Sequence, residues 1–195
     1  SAGDRAQEAY ENNLAIELFQ RAIGLLSASE AGRRMELSEK LADLYLLTGK
    51  YPDAHAHYDH VLSATPEALG QARLQRKIGR VYWQTGDMAT AIDHLWNAIE
   101  LLGGRRTQQK VWFYLALATS LGVYVMRRVF PFLARRETDP ERRTRLRHLC
   151  STYLGLGDAY FIHEPSNILL PAVVTSNLVD RIGESKEMVE TYCNA

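Results

Sequence analysis

Cysteine is scarce: Cys150 and Cys193 are the two in 195 residues, too few and too far apart for a disulfide framework or a cysteine-rich zinc site. A reducing intracellular setting is the default that follows. Net charge is absent too, because 23 lysines and arginines balance 23 aspartates and glutamates, so overall charge selects no partner. No stretch alternates apolar and polar residues as a half-buried strand would, which argues against a sheet. The longest apolar run without a charge, residues 111–126, stops short of the roughly 20 residues a membrane span needs. No GxxxxGK[ST], GxGxxG, GxSxG or HExxH occurs, and Gly103-Gly104 precede arginines rather than a phosphate-loop lysine. Carboxylates are plentiful, but none stands beside a base in a recognisable catalytic arrangement. The expectation is no catalysis, no cofactor and no metal.

What the chain does have is helical spacing. It is 46% hydrophobic and 24% charged, as ordinary globular chains are, and its length suits one domain. Apolar residues recur at intervals of three and four, and glycine and proline fall at segment boundaries. The pattern predicts helices over 4–11, 13–26, 31–48, 52–63, 67–85, 88–102, 107–134, 140–163, 166–182 and 185–194, each within about three residues. The fold class is all-α. Ser1-Ala2 stands in place of an initiator methionine and reads as a cloning remnant. Both ends fall inside helical patterns, so the chain is expected to be a piece of a longer protein.

Residues 45–62 read YLLTGKYPDAHAHYDHVL, and a shift of 37 lays them on YWQTGDMATAIDHLWNAI, residues 82–99. Tyr45 meets Tyr82, Gly49 meets Gly86, Ala54 meets Ala91, Tyr58 meets Leu95, and upstream Leu41-Ala42 meets Ile78-Gly79. Ala15, Phe19 and Ala22 repeat the second half 39 residues earlier. Small residues let two antiparallel helices approach, Tyr45 and Tyr82 fill the gap between them, and Gly49 and Gly86 end a first helix where a left-handed residue is least costly. The predicted core between helices is Ala15, Phe19, Leu41, Tyr45, Ala54, Tyr58, Ile78, Tyr82, Ala91, Leu95 and Ala98. This is similar to the tetratricopeptide pattern, a helix–turn–helix of about 34 residues. The expected architecture is a TPR-like α-α superhelix of antiparallel helix pairs forming one domain over 1–195. It comprises a half repeat at 4–26, repeats at 31–66 and 67–103, a long apolar helix region at 105–136 and a divergent repeat at 140–183. In that divergent repeat Ile168 or Leu169 would take the place of Ala54.

His55, His57 and His60 crowd beside Asp53 and Asp59, but His57 coincides with His94 under the same shift. A position used alike in two repeats is architectural, and no fourth ligand or supporting shell stands by for zinc. Further on, residues 105–148 carry 11 basic and 3 acidic side chains, against 10 and 14 in residues 1–104 and 2 and 6 in 149–195. The aromatics among these arginines (Trp112, Phe113, Tyr114) lie in an apolar run, as core residues would, so nucleic acid is not expected. Docking of an acidic neighbouring domain suits the basic stretch better. The apolar helix itself reads as a buried central helix rather than an interfacial one, and membrane contact is not expected.

In a tetratricopeptide-like array the first helix of each pair lines a concave groove. Glu36, Glu39 and Asp43 occupy that face in one repeat, and Arg73, Arg76 and Arg80, with Trp83, occupy equivalent positions in the next. Two readings follow. The acids and arginines form an inter-repeat ion-pair ladder, which is the preferred reading for the chain alone, or the arginines and Trp83 hold an acidic peptide.

The whole chain resembles the tetratricopeptide-rich region of bacterial multidomain signalling ATPases. The repeats at 41–66 and 78–103 carry the general likeness. The tail GDAYFIHEPSNILLPAVVTSNLVDRIGES and the helix ending RRVFPFLARR carry the particular one. The resemblance implies a cytoplasmic region linked to a STAND-type or AAA-like ATPase module, often with a class III adenylate or guanylate cyclase or a kinase domain. Any catalysis would then lie outside these residues. The function expected is a protein–protein interaction and sensing module whose partner is a protein or peptide, another domain of the same polypeptide included. The alternative is a small-molecule-binding regulatory domain, as in repeat-containing transcriptional activators that bind a sugar-like inducer.

Overall fold

A computed structural model describes residues 2–106, 110–130 and 137–183, with side chains left aside at 2–10, 28 and 110–112. Every regular element among these residues is helical: α1 (Ala2–Leu25), α2 (Ala31–Leu47), α3 (Tyr51–Ala64), α4 (Ala68–Thr85), α5 (Met88–Leu101), α6 (Lys110–Val129), α7 (Pro140–His163) and α8 (Leu169–Ile182). Short 3-10 turns at Ala28–Glu30 and Pro165–Asn167 precede α2 and α8. The helix expected at 185–194 lies outside the described residues, as do residues 107–109 and 131–134 of the one expected at 107–134.

The chain divides into two compact units, residues 1–86 and 87–195. In the first, α1 packs on α2, α2 on α3 and α3 on α4. The turn after α2 shows why the repeat glycine is there. Gly49 has φ 77°, its N–H bonds the Leu46 carbonyl at 3.3 Å, and Lys50 N–H reaches back to the Tyr45 carbonyl at 2.8 Å. That pair of bonds satisfies carbonyls the helix end would leave open, and the left-handed φ it demands is one glycine adopts at little cost. Ala42 and Ala54 are fully buried where α2 and α3 meet, and Leu41, Tyr45, Tyr58, Val61, Leu74, Ile78 and Val81 complete the core.

In the second unit α5 packs on α7, α7 on α8 and α8 on α6. Leu95, Trp96, Ile99, Phe113, Tyr153, Leu156, Tyr160, Leu170, Leu178 and Ile182 form one core. Trp96 Nε1–H donates to the Tyr160 hydroxyl at 3.0 Å, so the polar handles of two buried aromatics satisfy each other. A Cβ added at Gly157 would stand 3.6 Å from Pro171 Cβ, so α7 and α8 meet through small atoms as α2 and α3 do.

Four expectations are corrected. The segments 4–11 and 13–26 are one helix, because Glu11-Asn12-Asn13 contains no glycine or proline to stop it. Among the described side chains of α1, Ile16 is buried while Ala15 and Phe19 are half-buried, and Phe19 and Tyr82 pack against the core from its edge. Pro171, not Ile168 or Leu169, takes the place of Ala54. Pro171, Thr175 and Leu178 are buried at the spacing of Ala54, Tyr58 and Val61, and Leu169 is exposed. Proline is tolerated there because the first turn of a helix has no partner for its N–H groups. Finally, α6 is not a buried central helix. Phe113 enters the core, but Tyr114, Leu115, Leu121, Val125, Met126 and Val129 are exposed.

Candidate functional site

The charged face of the first unit is built on α2 and α4. Ile78 and Leu74 anchor α4 in the core, which turns Arg73, Lys77 and Arg80 onto one outer stripe at intervals of four and three. On α2, Glu36 and Asp43 are exposed and Glu39 is buried beside the core residues Leu41 and Tyr45. Glu39 is the pivot. Its side chain is 11% exposed, both guanidinium Nη atoms of Arg73 bond its two carboxylate oxygens, and Lys77 Nζ stands 2.8 Å from Oε1. Lys77 also donates to Asp43 at 2.7 Å. The Tyr58 hydroxyl rises from α3 to donate to Asp43 Oδ1 at 2.5 Å. Burial, and then that hydrogen bond and the charges of Asp43 and Glu39, push the Tyr58 hydroxyl far above the usual phenol range, so it is a fixed donor.

The pairing runs one helical turn out of the expected register. Glu39 meets Arg73 and Lys77, not the equivalent Arg76, because an arginine reaching along a neighbouring helix spans a turn. Glu36 turns to Lys40 within α2, at 2.6 Å, and that hydrogen bond holds its carboxyl below the ordinary range. Lys77 and Tyr58 belong to the network although neither was a candidate. For Lys77 the signal was available: it lies four residues from Arg73 and three from Arg80, beside the core residue Ile78.

α4 carries Arg73, Arg76, Lys77 and Arg80 and no acid. Glu39 and Asp43 neutralise two of these cations. Arg80 is exposed and makes no ion pair among the described residues, and Trp83, one turn on, is 36% exposed. The closed network therefore borders an open cation with an indole beside it.

The histidines sit in the scaffold. His57 stacks tilted on Tyr45 with ring centroids 5.6 Å apart, and His55 Nε2 lies 3.2 Å from the Tyr82 hydroxyl. Burial lowers the His57 pKa from its ordinary value, against the pull of Asp53. Among the described residues no three His, Cys, Asp or Glu side chains stand together as a metal site. None of the helices described is long and apolar enough to cross a membrane.

Residues 33–103 match the family model of the tetratricopeptide repeat, a stretch that holds both repeats read in the sequence. No curated protein matches the chain. Among solved structures, the chain is similar to a Podosopora anserina protein described as a kinesin light chain with nearly identical TPR-like repeats. Identity is 16% and the TM-score 0.43, over 90% of this chain and 91% of that one. At those values the likeness adds nothing to the fold derived above.

Proposed function

We propose that the chain is a non-catalytic interaction and sensing module of a multidomain signalling protein, holding an acidic peptide or a neighbouring domain of the same polypeptide on the α2–α4 face. Tetratricopeptide repeats generally mediate protein–protein interactions, and residues 33–103 match that repeat. The observation that carries the assignment to this face is Arg80. It is an exposed cation on an acid-free helix, without an ion pair among the described residues, with Trp83 one turn on and an ion-pair network behind it. Arginine and tryptophan are both enriched where interfaces concentrate their energy. In this reading Glu39, Asp43, Arg73 and Lys77 hold the face in shape, and Arg76, Arg80 and Trp83 meet the partner. The ATPase, cyclase or kinase setting rests on the resemblance of the tail and of RRVFPFLARR, which implies a cytoplasmic module with any catalysis outside these residues.

A random-peptide display selection on the purified chain tests this. Acidic peptides are expected to be enriched on the wild-type chain and lost on Arg80→Glu. Enrichment without acidic bias, or unchanged on Arg80→Glu, contradicts it. The second reading, a small-molecule-binding regulatory domain, has one observation behind it: a cleft within the second unit bordered by two arginines.

A further inference from the structure

That cleft lies between α6 and α8 and measures about 230 Å³. Ser120, Val123 and Arg127 border it from α6, and Val174, Asn177 and Arg181 from α8. Pockets for drug-sized ligands run to roughly 300–1,000 Å³, so this one suits a small acid or a single side chain.

Its charges are unbalanced. Arg127 is half-buried, donates from Nη1 to the Asn177 main-chain carbonyl at 2.7 Å, and makes no ion pair among the described residues. Arg181 stands 3.7 Å from Glu137, with 42% of its side chain exposed. Two guanidinium groups partly withdrawn from water on the walls of one cleft favour an anion between them, and a carboxylate matches their forked donors. Asn177 adds a second requirement. Its Nδ2 donates to the Ser120 carbonyl at 2.8 Å, but its Oδ1 is buried without a partner. A buried acceptor of this kind is stabilised by a donor from whatever fills the space. Val123 and Val174 supply apolar wall.

We propose that this cleft binds a small organic carboxylate that carries its own N–H or O–H donor on a short apolar arm, an N-acyl or hydroxy acid. The carboxylate sits on Arg127 and Arg181, and the donor reaches Asn177 Oδ1. The same chemistry is presented by a glutamate or aspartate side chain with its main-chain N–H, which makes a protein segment the other source. The site belongs wholly to the second unit and stands whether or not the α2–α4 face binds a peptide.

NMR titration of the 195-residue chain, following the Nε–H signals of Arg127 and Arg181, tests it. The probes are N-acetylvaline, isovalerate (no donor), N-acetylvaline amide (no charge) and a capped tetrapeptide with one glutamate. N-acetylvaline is expected to shift both signals saturably, isovalerate to bind about tenfold more weakly, and the neutral amide not to bind. Arg127→Gln and Arg181→Gln are each expected to weaken binding about tenfold. Tighter binding of the tetrapeptide than of N-acetylvaline supports the chemistry and assigns its source to protein. Arg127 also ties α6 to α8, so Arg181→Gln decides if Arg127→Gln fails to fold. No saturable shift with either N-acetylvaline or the tetrapeptide up to about 10 mM overturns the proposal. So does equal binding of isovalerate or the amide, or binding unaltered by Arg181→Gln.

Discussion

Ala54 is fully buried where α2 and α3 pack on each other. Ala54→Leu is expected to cost about 1–3 kcal/mol through overpacking, read from urea unfolding. Glu39 holds two cations from a nearly buried position, so Glu39→Gln is expected to lose about 1–3 kcal/mol, more than an exposed pair contributes. His57 adds a pH dependence. Because burial keeps its folded pKa below the ordinary 6.5, the unfolded chain takes up this proton at higher pH than the folded chain does. Its contribution to stability is complete above pH 6.5 and is lost as pH falls below it, and His57→Gln is expected to flatten that decline in unfolding curves measured across the window. At this scale Tyr58 and Ala54 were legible because their types recur with Leu95 and Ala91 at a fixed shift. The partner of Glu39 was not, since equivalence between repeats names positions and a long side chain then reaches a full turn away.

Helices α2 and α4 end on glycines with positive φ, 77° at Gly49 and 84° at Gly86. A side chain there is strained in otherwise open space, so Gly86→Ala is expected to destabilise by about 1–2 kcal/mol without disturbing any packing contact. α6 offers the opposite contrast. Phe113→Ala is expected to cost about 3 kcal/mol and Leu115→Gln no more than about 0.5, because the first side chain fills the core and the second faces water. The repeat helices were readable from their period, whereas α6 was placed wrongly, as a buried central helix. A run apolar all round carries no stripe to say which side is covered, and only the packing of α8 beneath it decides. The register of α8 was read two or three residues early, at Leu169 or Ile168, because the stretch from Ile168 to Val174 is apolar throughout and carries no stripe either; Pro171, in the first turn of α8, holds that place.

For the molecule as a whole, the helical class was written in spacing, and the division at residues 86 and 87 was not, since Gly86 has the same form as Gly49. The central claim is that one part of the α4 stripe serves the fold and the next part serves a partner. Arg73→Glu is expected to lose stability and to recover part of it with Glu39→Arg, as an ion pair within the scaffold would. The most direct measurement is a calorimetric titration of a display-selected acidic peptide into the wild-type chain and into Arg80→Glu, with unfolding curves for both. The account predicts equal stability within about 0.5 kcal/mol and at least about tenfold weaker binding by the variant. Undiminished binding by Arg80→Glu, at equal stability, would contradict it.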